Sequence, residues 1–536
     1  MVRALHIART FFTRPSRRGV CNLLHSLIRS RARDAASSSL LAPLPSRALA
    51  APHSTARGCV VTDAPPPPSK SANARTRLSR TCFARTVAMA HANACTVAPK
   101  PPSKKWSSTR HHRRYRAHAA SSSAEEPVRV RGTSLPSFDW VPEDAAALRL
   151  CEPASAPLRV AVLLSGGVDS SVALSLLQAA GHECVAFYLQ IWFQEDFRNT
   201  WDACPWEEDL RVAEAVCART GTALETVALT EAYWDLVVKD SVEEIRKGRT
   251  PNPDVLCNSR VKFGAFREWL AKTHPGRFDR VASGHYAAVE RDDVTGEAKL
   301  VMSGDSFKDQ TYFLADLSQE QLRSVMFPVG GMPKAEIRQL AQSAELPNAG
   351  RKDSQGICFL GKVKFSEFIA EHLGEMPGDI IEVESGTVLG KHRAYWFHTI
   401  GQRSGLFLHG GPWYVAGKDC VNNIVYVTRD YYSLDKARNK FTVAGFNWIS
   451  GVEPPLESIE NLRVKVRHGE KIYPCTSFTF GAVNGERVGD VVIDEDDQGL
   501  APGQYAVFYD GEECLGCGKI LEPNVGAIGL TRQATA

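Results

Sequence analysis

The sequence predicts an α/β protein with a doubly wound parallel sheet, a small central domain and a C-terminal antiparallel β-barrel. Strand and helix patterns alternate in the first folded part, which is typical of a parallel sheet with helices on both faces. Farther along, short apolar strands lie between Gly, Asp and Asn turns and predict antiparallel structure. We place the leader at 1–125 and the three domains at 156–365, 366–435 and 436–530.

The elements of the first domain follow one another in a regular order. LRVAVLL is a continuous apolar run, as in a buried parallel strand, and a helix after it ends before Gly181. ECVAFYL and ALETVAL predict two further strands, with an amphipathic helix between them that ends at Gly221. AYWDLVVKDSVEEIRKG predicts a longer helix that ends at Gly248, and RVASGHYAAV predicts one more strand.

The leader differs from the rest of the chain in charge. Residues 1–124 contain 22 Lys and Arg but only two acids, Asp34 and Asp63, for a net charge of +20. Because the whole chain carries +4, the remainder carries about −16. An Arg-rich, Ser-rich, acid-poor start is typical of a transit peptide, so we expect import into the mitochondrion or the chloroplast. The alternative is a disordered basic tail that binds RNA. No apolar run is long enough for a membrane helix, so no membrane partner is expected.

SGGVDSS, at 165–171, lies between the first strand and the first helix. Its glycines allow a sharp turn, and the helix start offers free N–H groups and partial positive charge to an anion. Asp169 is a candidate ligand for Mg²⁺. The loop lacks the Walker and dinucleotide patterns. In this context it resembles the PP-loop of the ATP pyrophosphatase superfamily, and the resemblance implies ATP as a substrate.

Two cysteines stand in polar, turn-rich sequence. Cys257 lies in TPNPDVLCN, which predicts a rigid, exposed loop, and Cys358 lies in RKDSQGICFLG near Arg351 and Lys352. Nearby positive charge would lower a thiol pKa and raise its reactivity. Two such thiols fit sulfur transfer, in which one carries a persulfide and the other exchanges with it. The competing interpretation is that both cysteines only pack in the interior.

Several long motifs together resemble the tRNA-specific 2-thiouridylase family over about residues 158–525. They are GRTPNPDVLCNSRVKFGAF, ASGHYA, KDQTYFL, RKDSQGICFLG, HTIGQRSGL and PGQYAVFYDGEECLG. The resemblance implies a PP-loop catalytic domain, a central domain and a β-barrel. It also implies that the C2 carbonyl of the wobble uridine, expected in tRNAs for Lys, Glu and Gln, becomes a thiocarbonyl.

The resemblance assigns roles to particular positions. Cys257 is the expected nucleophile, Cys358 the persulfide carrier, and Asp254 a further catalytic residue. The expected ATP contacts are Leu163, Leu164, Ser165, Gly166, Gly167, Val168, Asp169, Ser170, Leu189 and Gly284. The expected tRNA contacts are Asn252, Pro253, Asp254, Lys308, Asp309, Gln310, Arg467 and His468.

The chemistry implied by the family is a relay. ATP adenylates the uridine oxygen, and sulfur then reaches C2 either directly from the persulfide on Cys358 or as hydrosulfide that Cys257 frees. A disulfide between the two cysteines remains to be reduced. A protein persulfide donor is the expected partner, and the enzyme is expected to be a monomer. In an alternative chemistry, Asp254, Cys257 and Cys358 hold an iron–sulfur cluster.

Two other functions compete with this interpretation. One is a PP-loop ligase or sulfurtransferase that acts on a small molecule. The other is a non-catalytic RNA-binding or sulfur-carrier protein. The acidic remainder of the chain also requires that positive charge be concentrated locally if RNA binds, because RNA contact normally needs a basic surface.

Overall fold

The structure is a computed structural model. It describes residues 138–152, 156–191, 205–292, 294–353, 365–432, 438–497 and 499–523. The predicted leader and Cys358 lie outside these described residues. In the described part, no helix is both long and apolar enough to cross a membrane.

The strands, in chain order, are β1 (Arg159–Leu163), β2 (Glu183–Gln190), β3 (Ala223–Ala228), β4 (Arg280–Ala282), β5 (Ala288–Arg291), β6 (Ala298–Val301), β7 (Val325–Met326), β8 (Gly378–Glu382), β9 (Val388–His392), β10 (Tyr414–Asp419), β11 (Ile424–Thr428), β12 (Lys440–Trp448), β13 (Leu462–Lys465), β14 (Tyr473–Val483), β15 (Glu486–Ile493), β16 (Tyr505–Asp510) and β17 (Glu513–Pro523). The α-helices are α1 (Val168–Ala179), α2 (Pro205–Thr220), α3 (Thr230–Tyr233), α4 (Lys239–Arg246), α5 (Pro253–Leu256), α6 (Phe266–Thr273), α7 (Thr311–Leu314), α8 (Gln319–Arg323), α9 (Lys334–Ser343) and α10 (Phe365–Leu373). π-Helical turns at Trp234–Val238 and Cys257–Ala265 join α3 to α4 and α5 to α6.

The first domain is built on a five-stranded sheet in the order β3-β2-β1-β4-β7. All neighbouring strands in it are parallel. Alternate residues of β1 enter two different buried clusters: Val160 and Val162 pack with α1, α2 and α9, whereas Ala161 and Leu163 pack with residues of the α3–α6 stretch. Helices therefore cover both faces, and the predicted doubly wound sheet is confirmed.

One predicted strand is divided in the structure. RVASGHYAAV was expected to form a single strand, but β4 ends at Ala282 and β5 begins at Ala288. β5 pairs with β6, and β6 pairs with β17 of the last domain. The second half of the segment therefore leaves the parallel sheet and extends the C-terminal sheet.

The central domain is a four-stranded sheet in the order β10-β11-β8-β9. β8 and β11 are parallel, and the other two pairs are antiparallel. Its small core contains Trp413 and the alternating valines of β10 and β11. The predicted small domain between two larger ones is thus present.

The last domain is an antiparallel barrel, as predicted. Six strands pair in the ring β12-β15-β14-β13-β16-β17, and β17 pairs back onto β12. The β5–β6 hairpin continues the sheet beyond β17. The barrel is further joined to the first domain by a buried ion pair in which Lys465 Nζ lies 2.8 Å from Asp309 Oδ2. Tyr312, on α7, donates a hydrogen bond to the carbonyl oxygen of Tyr505 at 3.2 Å.

Candidate active site

The PP-loop forms an open helix N-terminus at the carboxyl end of β1. Gly166 has a φ of +76°, and a Cβ there would lie 2.5 Å from the carbonyl oxygen of Asp209, so a side chain is excluded. Gly167 is the N-cap of α1 and provides no side-chain cap. The first N–H groups of α1 therefore donate no hydrogen bond to an N-cap side chain, which leaves them suited to an anion.

The serines of the loop fix its shape. The hydroxyls of Ser170 and Ser171 donate to the carbonyl oxygen of Gly167 at 3.0 and 2.9 Å. The hydroxyl oxygens of Ser165 and Ser170 are 3.3 Å apart, and Ser165 is exposed whereas Ser170 is buried. Ser165 is thus the loop hydroxyl that a phosphate can reach most directly.

Two residues that were not predicted hold the loop from outside. Asn348 donates to the carbonyl oxygen of Gly166 at 2.9 Å and to the hydroxyl of Ser171 at 2.9 Å. Arg351 donates to the same carbonyl at 3.0 Å and forms an ion pair with Asp209 of α2. No motif in the sequence points to Asn348, and Arg351 was noted only as a positive charge near Cys358.

The predicted adenosine contacts flank this loop. Gly284 follows β4, and a Cβ there would lie 2.5 Å from the backbone nitrogen of Ser170 and 2.7 Å from the carbonyl carbon of Asp169. Leu189 lies near the end of β2 and packs against the core on the α3–α6 side. β2 and β4 are the neighbours of β1, so both residues lie at the edge where ligands bind in such sheets. Their roles in ATP binding stay predictions.

Asp169 is already paired within the protein. Lys334 Nζ lies 2.6 and 2.8 Å from its two carboxylate oxygens, and the Tyr286 hydroxyl donates to it at 2.8 Å. Burial and the charge of Asp169 raise the pKa of Tyr286 well above its usual value, so the phenol stays protonated. A Mg²⁺ ion needs oxygen ligands that are not held by a lysine.

Magnesium therefore does not fit Asp169 in this arrangement. Lys334 also lies 3.0 Å from Asp353, and Lys308 lies 3.2 Å from Asp353. Burial alone would raise the pKa of Asp353, but hydrogen bonds from Lys334 and Lys308 lower it to about 2. Over the described ranges, no group of three or more His, Cys, Asp or Glu side chains could hold a metal ion.

The segment TPNPDVLCN is a helix start and not the exposed loop that we predicted. Asn252 is the N-cap of α5, and its side chain accepts a hydrogen bond from the Val255 N–H at 3.4 Å. Pro253 occupies the first turn, where its missing N–H costs nothing. Cys257 begins the following π-helical turn and is 0% exposed. The expectation of an exposed thiol at this position is therefore wrong for this conformation.

Cys257 shares a buried cluster with Leu163, the last residue of β1. Asp254 lies three residues before Cys257 in a helical stretch, so the two side chains lie on neighbouring positions of one helix face. These two fit the spacing of two ligands to one iron–sulfur cluster. The third predicted ligand, Cys358, lies outside the described residues.

The barrel holds the segment that leads to Cys257. Gln504 donates to the carbonyl oxygens of Thr250 and Pro251 at 2.9 and 3.1 Å. Asn252 donates to the side-chain oxygen of Gln504 at 3.3 Å. The motif PGQY, which contains Gln504, was recognised in the sequence, but its role in positioning this segment was not predicted.

The predicted tRNA contacts fall into two groups. Asp309 is buried, and Gln310 accepts a hydrogen bond from the Tyr286 N–H at 2.9 Å, so both side chains are engaged inside the protein. Lys308 is more exposed but is paired with Asp353. Contacts of these three residues with tRNA stay predictions.

The second group consists of the barrel residues Arg467 and His468. The His468 ring stacks on Phe313 with centroids 4.5 Å apart. Burial lowers the pKa of His468, the Lys465 charge lowers it further, and the charge of Asp254 acts in the opposite direction, which places Asp254 within electrostatic reach. Arg467 has a side chain that is 54% exposed and is paired with Asp497 at 3.2 Å. Among the predicted tRNA contacts on the barrel, Arg467 is therefore the accessible charge.

Known proteins resemble most of the described part of the chain. Three family models match in succession: a tRNA methyl transferase HUP domain at 158–362, a tRNA methyl transferase PRC-barrel domain at 366–429 and an aminomethyltransferase β-barrel domain at 438–520. The fold and the loop together define a PP-loop α/β enzyme domain that is followed by a central domain and a β-barrel.

Curated relatives define the family more closely. "tRNA-specific 2-thiouridylase MnmA" of Parabacteroides distasonis is 42% identical over 373 residues, which are 68% of this chain and 99% of that protein. "tRNA-specific 2-thiouridylase MnmA 2" of Bacteroides fragilis is 43% identical over 367 residues, 67% of this chain and 99% of that protein. The chain belongs to the tRNA-specific 2-thiouridylase family.

A solved structure, the U34-tRNA thiolase NcsA from Methanococcus maripaludis with its 4Fe–4S cluster, is 15% identical with a TM-score of 0.25. It covers 42% of this chain and 71% of that chain. So low a score supports no inference about this chain.

Proposed function

We propose that this protein is an ATP-dependent tRNA sulfurtransferase that converts the wobble uridine of tRNA to 2-thiouridine. The observation that carries the proposal is that Cys257, the predicted nucleophile, is buried in the same core cluster as Leu163, the residue at the carboxyl end of β1. At that same end, α1 begins at Val168 with an N-cap that provides no side-chain cap. A thiol packed in the core of this sheet and an anion site at the end of one of its strands suit an enzyme that first activates and then substitutes a carbonyl oxygen.

The reaction balances in two steps. The uridine C2 oxygen attacks the α-phosphorus of ATP, and pyrophosphate leaves. The free N–H groups of α1 and the hydroxyl of Ser165 stabilise phosphate charge. Sulfur then replaces the adenylated oxygen at C2, and AMP departs with that oxygen. The sulfur is the outer sulfur of a persulfide on Cys358. The Cys257 thiolate attacks the inner sulfur of Cys358, which breaks the bond to the outer sulfur and leaves a Cys257–Cys358 disulfide. An external thiol pair returns both cysteines to the reduced state.

The outer sulfur reaches C2 by one of two routes: it attacks C2 directly, or it first leaves Cys358 as hydrosulfide and then attacks C2. An iron–sulfur cluster on Asp254, Cys257 and Cys358 would instead supply an open iron that binds sulfide. The supporting observation is that Asp254 and Cys257 are three residues apart on one helical stretch. Activity that appears only after anaerobic reconstitution with iron and sulfide supports the cluster. Full activity with a persulfide donor in metal-free protein excludes it.

The test of the proposed function is thiolation by the full chain. Unmodified tRNAs for Lys, Glu and Gln are supplied with ATP, magnesium and a persulfide donor, and 2-thiouridine is measured by nucleoside mass spectrometry. Cys257→Ser and Cys358→Ser are expected to abolish the product. Cys217→Ser is the matched control, because Cys217 is also buried but lies on α2 in the other core cluster. ATP cleavage without tRNA and without 2-thiouridine would instead favour a small-molecule ligase.

The proposed enzyme has two macromolecular partners and acts as a single chain. The substrate is tRNA, the sulfur donor is a protein persulfide, and the enzyme acts as a monomer. A persulfide-loaded donor that transfers labelled sulfur to wild type but not to Cys358→Ser supports the donor assignment. Light scattering with an excess of tRNA measures the stoichiometry, and a dimer of the protein would contradict the monomer.

We further propose that the leader directs the protein to the mitochondrion or the chloroplast. Its support is the net charge of +20 over residues 1–124 and the acidic remainder. Fusion of residues 1–125 to a fluorescent protein, imaged with markers of both organelles, tests the targeting. A fusion that stays in the cytosol or binds RNA there would favour the basic tail.

A further inference from the structure

A cavity of about 190 Å³ lies between the first domain and the central domain. One wall is formed by apolar residues of α4, including Val242 and Ile245. The second wall includes Pro251 and Pro253, so it is the same segment that leads to Cys257. The third wall comes from the central domain and includes Lys418. The cavity therefore adjoins the proposed active site and does not form part of the ATP loop.

Lys418 is a positive charge without a counter-charge. Its ammonium donates to the carbonyl oxygen of His398 at 3.0 Å, and no carboxylate of a described residue lies within 4.0 Å of it. Burial lowers its pKa to about 8, so the amine is still mostly protonated at pH 7. A half-buried ammonium without an ionic partner is available to an anionic ligand that enters the cavity.

The other polar groups at the cavity do not supply a counter-charge. Arg249, a second cation on the wall, is already paired with Glu244. Burial, then His392 and then Lys418 lower the pKa of His398 to about 4, so this histidine is neutral at pH 7. The net charge presented to the cavity is therefore the single positive charge of Lys418.

We propose that this cavity is a phosphate-binding subsite in which Lys418 supplies the charge. An ammonium with two remaining N–H donors and the nearby hydroxyl of Thr399 match the acceptor oxygens of a phosphate. His398 and Thr399 belong to HTIGQRSGL, a motif to which the sequence assigned no role. The phosphate belongs either to the tRNA backbone or to a free phosphate compound; only the first source rests on the proposed function.

The experiment uses the full chain and the variant Lys418→Met, which keeps the length of the side chain and removes the charge. Lys391→Met is the matched control, since Lys391 lies in the same domain with a side chain that is 71% exposed and is paired with Asp379. Melting temperatures are measured in phosphate and in chloride at equal ionic strength. Binding of unmodified tRNA is measured separately by filter retention. Lys418→Gln serves as a second uncharged variant if the methionine variant does not fold.

We expect phosphate to raise the melting temperature of wild type and of Lys391→Met, but not of Lys418→Met. In chloride, Lys418→Met should melt above wild type, because the uncompensated charge is gone. If the phosphate belongs to tRNA, the affinity of Lys418→Met for tRNA falls about ten- to hundredfold, the loss of one hydrogen-bonded charge. If the ligand is a free phosphate compound, the affinity of Lys418→Met for tRNA equals that of wild type, and phosphate no longer raises the melting temperature of this variant.

Equal effects of phosphate on wild type and on Lys418→Met, together with unchanged tRNA affinity, overturn the subsite. Loss of tRNA affinity in Lys418→Met without any effect of phosphate on wild type still supports it, with tRNA as the source. The thiolation assay of wild type is scored independently. Absence of 2-thiouridine in the wild-type thiolation assay would refute the proposed function. The melting temperatures in phosphate and chloride would still show whether Lys418 binds phosphate.

Discussion

Gly284→Ala should disable the ATP loop by a single methyl group. The added Cβ would lie 2.5 Å from the Ser170 nitrogen and 2.7 Å from the Asp169 carbonyl carbon, and both are backbone atoms that cannot rotate away. Ordinary van der Waals contact begins at 3.4 Å, so one of the two segments must move by about 0.9 Å. A misplacement of about 1 Å at a reacting centre costs on the order of a hundredfold in rate.

The assay separates binding from folding. We expect the affinity for ATP and the rate of 2-thiouridine formation to fall about a hundredfold, while overpacking lowers stability by about 1–3 kcal/mol. Gly350→Ala is the control, because a Cβ there meets nothing within 4 Å and the loop near Arg351 keeps its contacts. Calorimetric ATP titration and circular dichroism are recorded for both variants. Wild-type ATP affinity in Gly284→Ala would refute the steric argument and the placement of ATP at this edge.

Three further substitutions test ion pairs and hydrogen bonds that join the domains or lie beside the PP-loop. Lys465→Met should lower the free energy of unfolding by about 3–5 kcal/mol, because it leaves the buried carboxylate of Asp309 without its ionic partner. Adding Asp309→Asn should restore most of that loss, as measured by urea titration. A double variant that is no more stable than Lys465→Met would contradict the ion-pair explanation. Gln504→Ala should reduce thiolation but not ATP affinity, since Gln504 holds Thr250 and the segment before Cys257; equal losses of both would argue against this role. The pKa of Asp353 is depressed to about 2 in the folded state, so its stabilising contribution is complete above the unfolded pKa of about 4 and is lost as the pH falls towards 2. Asp353→Asn should flatten the stability profile in that window, as measured by acid titration of the melting temperature.

The sequence predicted most accurately the elements that are determined by residues close together in the chain. The strand β1, the loop and α1 follow from local apolar periodicity and two adjacent glycines, and the structure has all three in place. The helix of α3 and α4 was predicted to end at Gly248, which has a φ of +80°. Short strands separated by turn residues predicted a C-terminal barrel, but they did not predict the order in which its six strands pair.

What the sequence did not predict depends partly on partners that are distant in sequence and partly on local capping. β5 leaves the parallel sheet because its neighbour β6 pairs with β17, more than 200 positions along the chain. Asp309, to which the family resemblance assigns a tRNA contact, is buried, and Lys465, 156 positions away, compensates its charge in the interior. Prolines and asparagines around Cys257 were interpreted as a loop, although Asn252 caps a helix and Pro253 fits its first turn.

The distribution of these long-range contacts explains why motifs in separate domains belong to one site. Gln504 of the barrel holds the backbone of Thr250 and Pro251, and the buried pair of Lys465 and Asp309 ties the barrel to α7. Asn258, one residue after Cys257, donates to the carbonyl oxygen of Phe313 on the same helix α7 at 3.1 Å. The helical turn that bears Cys257 is thus fixed both by the barrel directly and by a helix that the barrel holds. A change in barrel docking would move Cys257, the proposed nucleophile, relative to α1, so under the proposed function the barrel would affect catalysis through the position of this thiol.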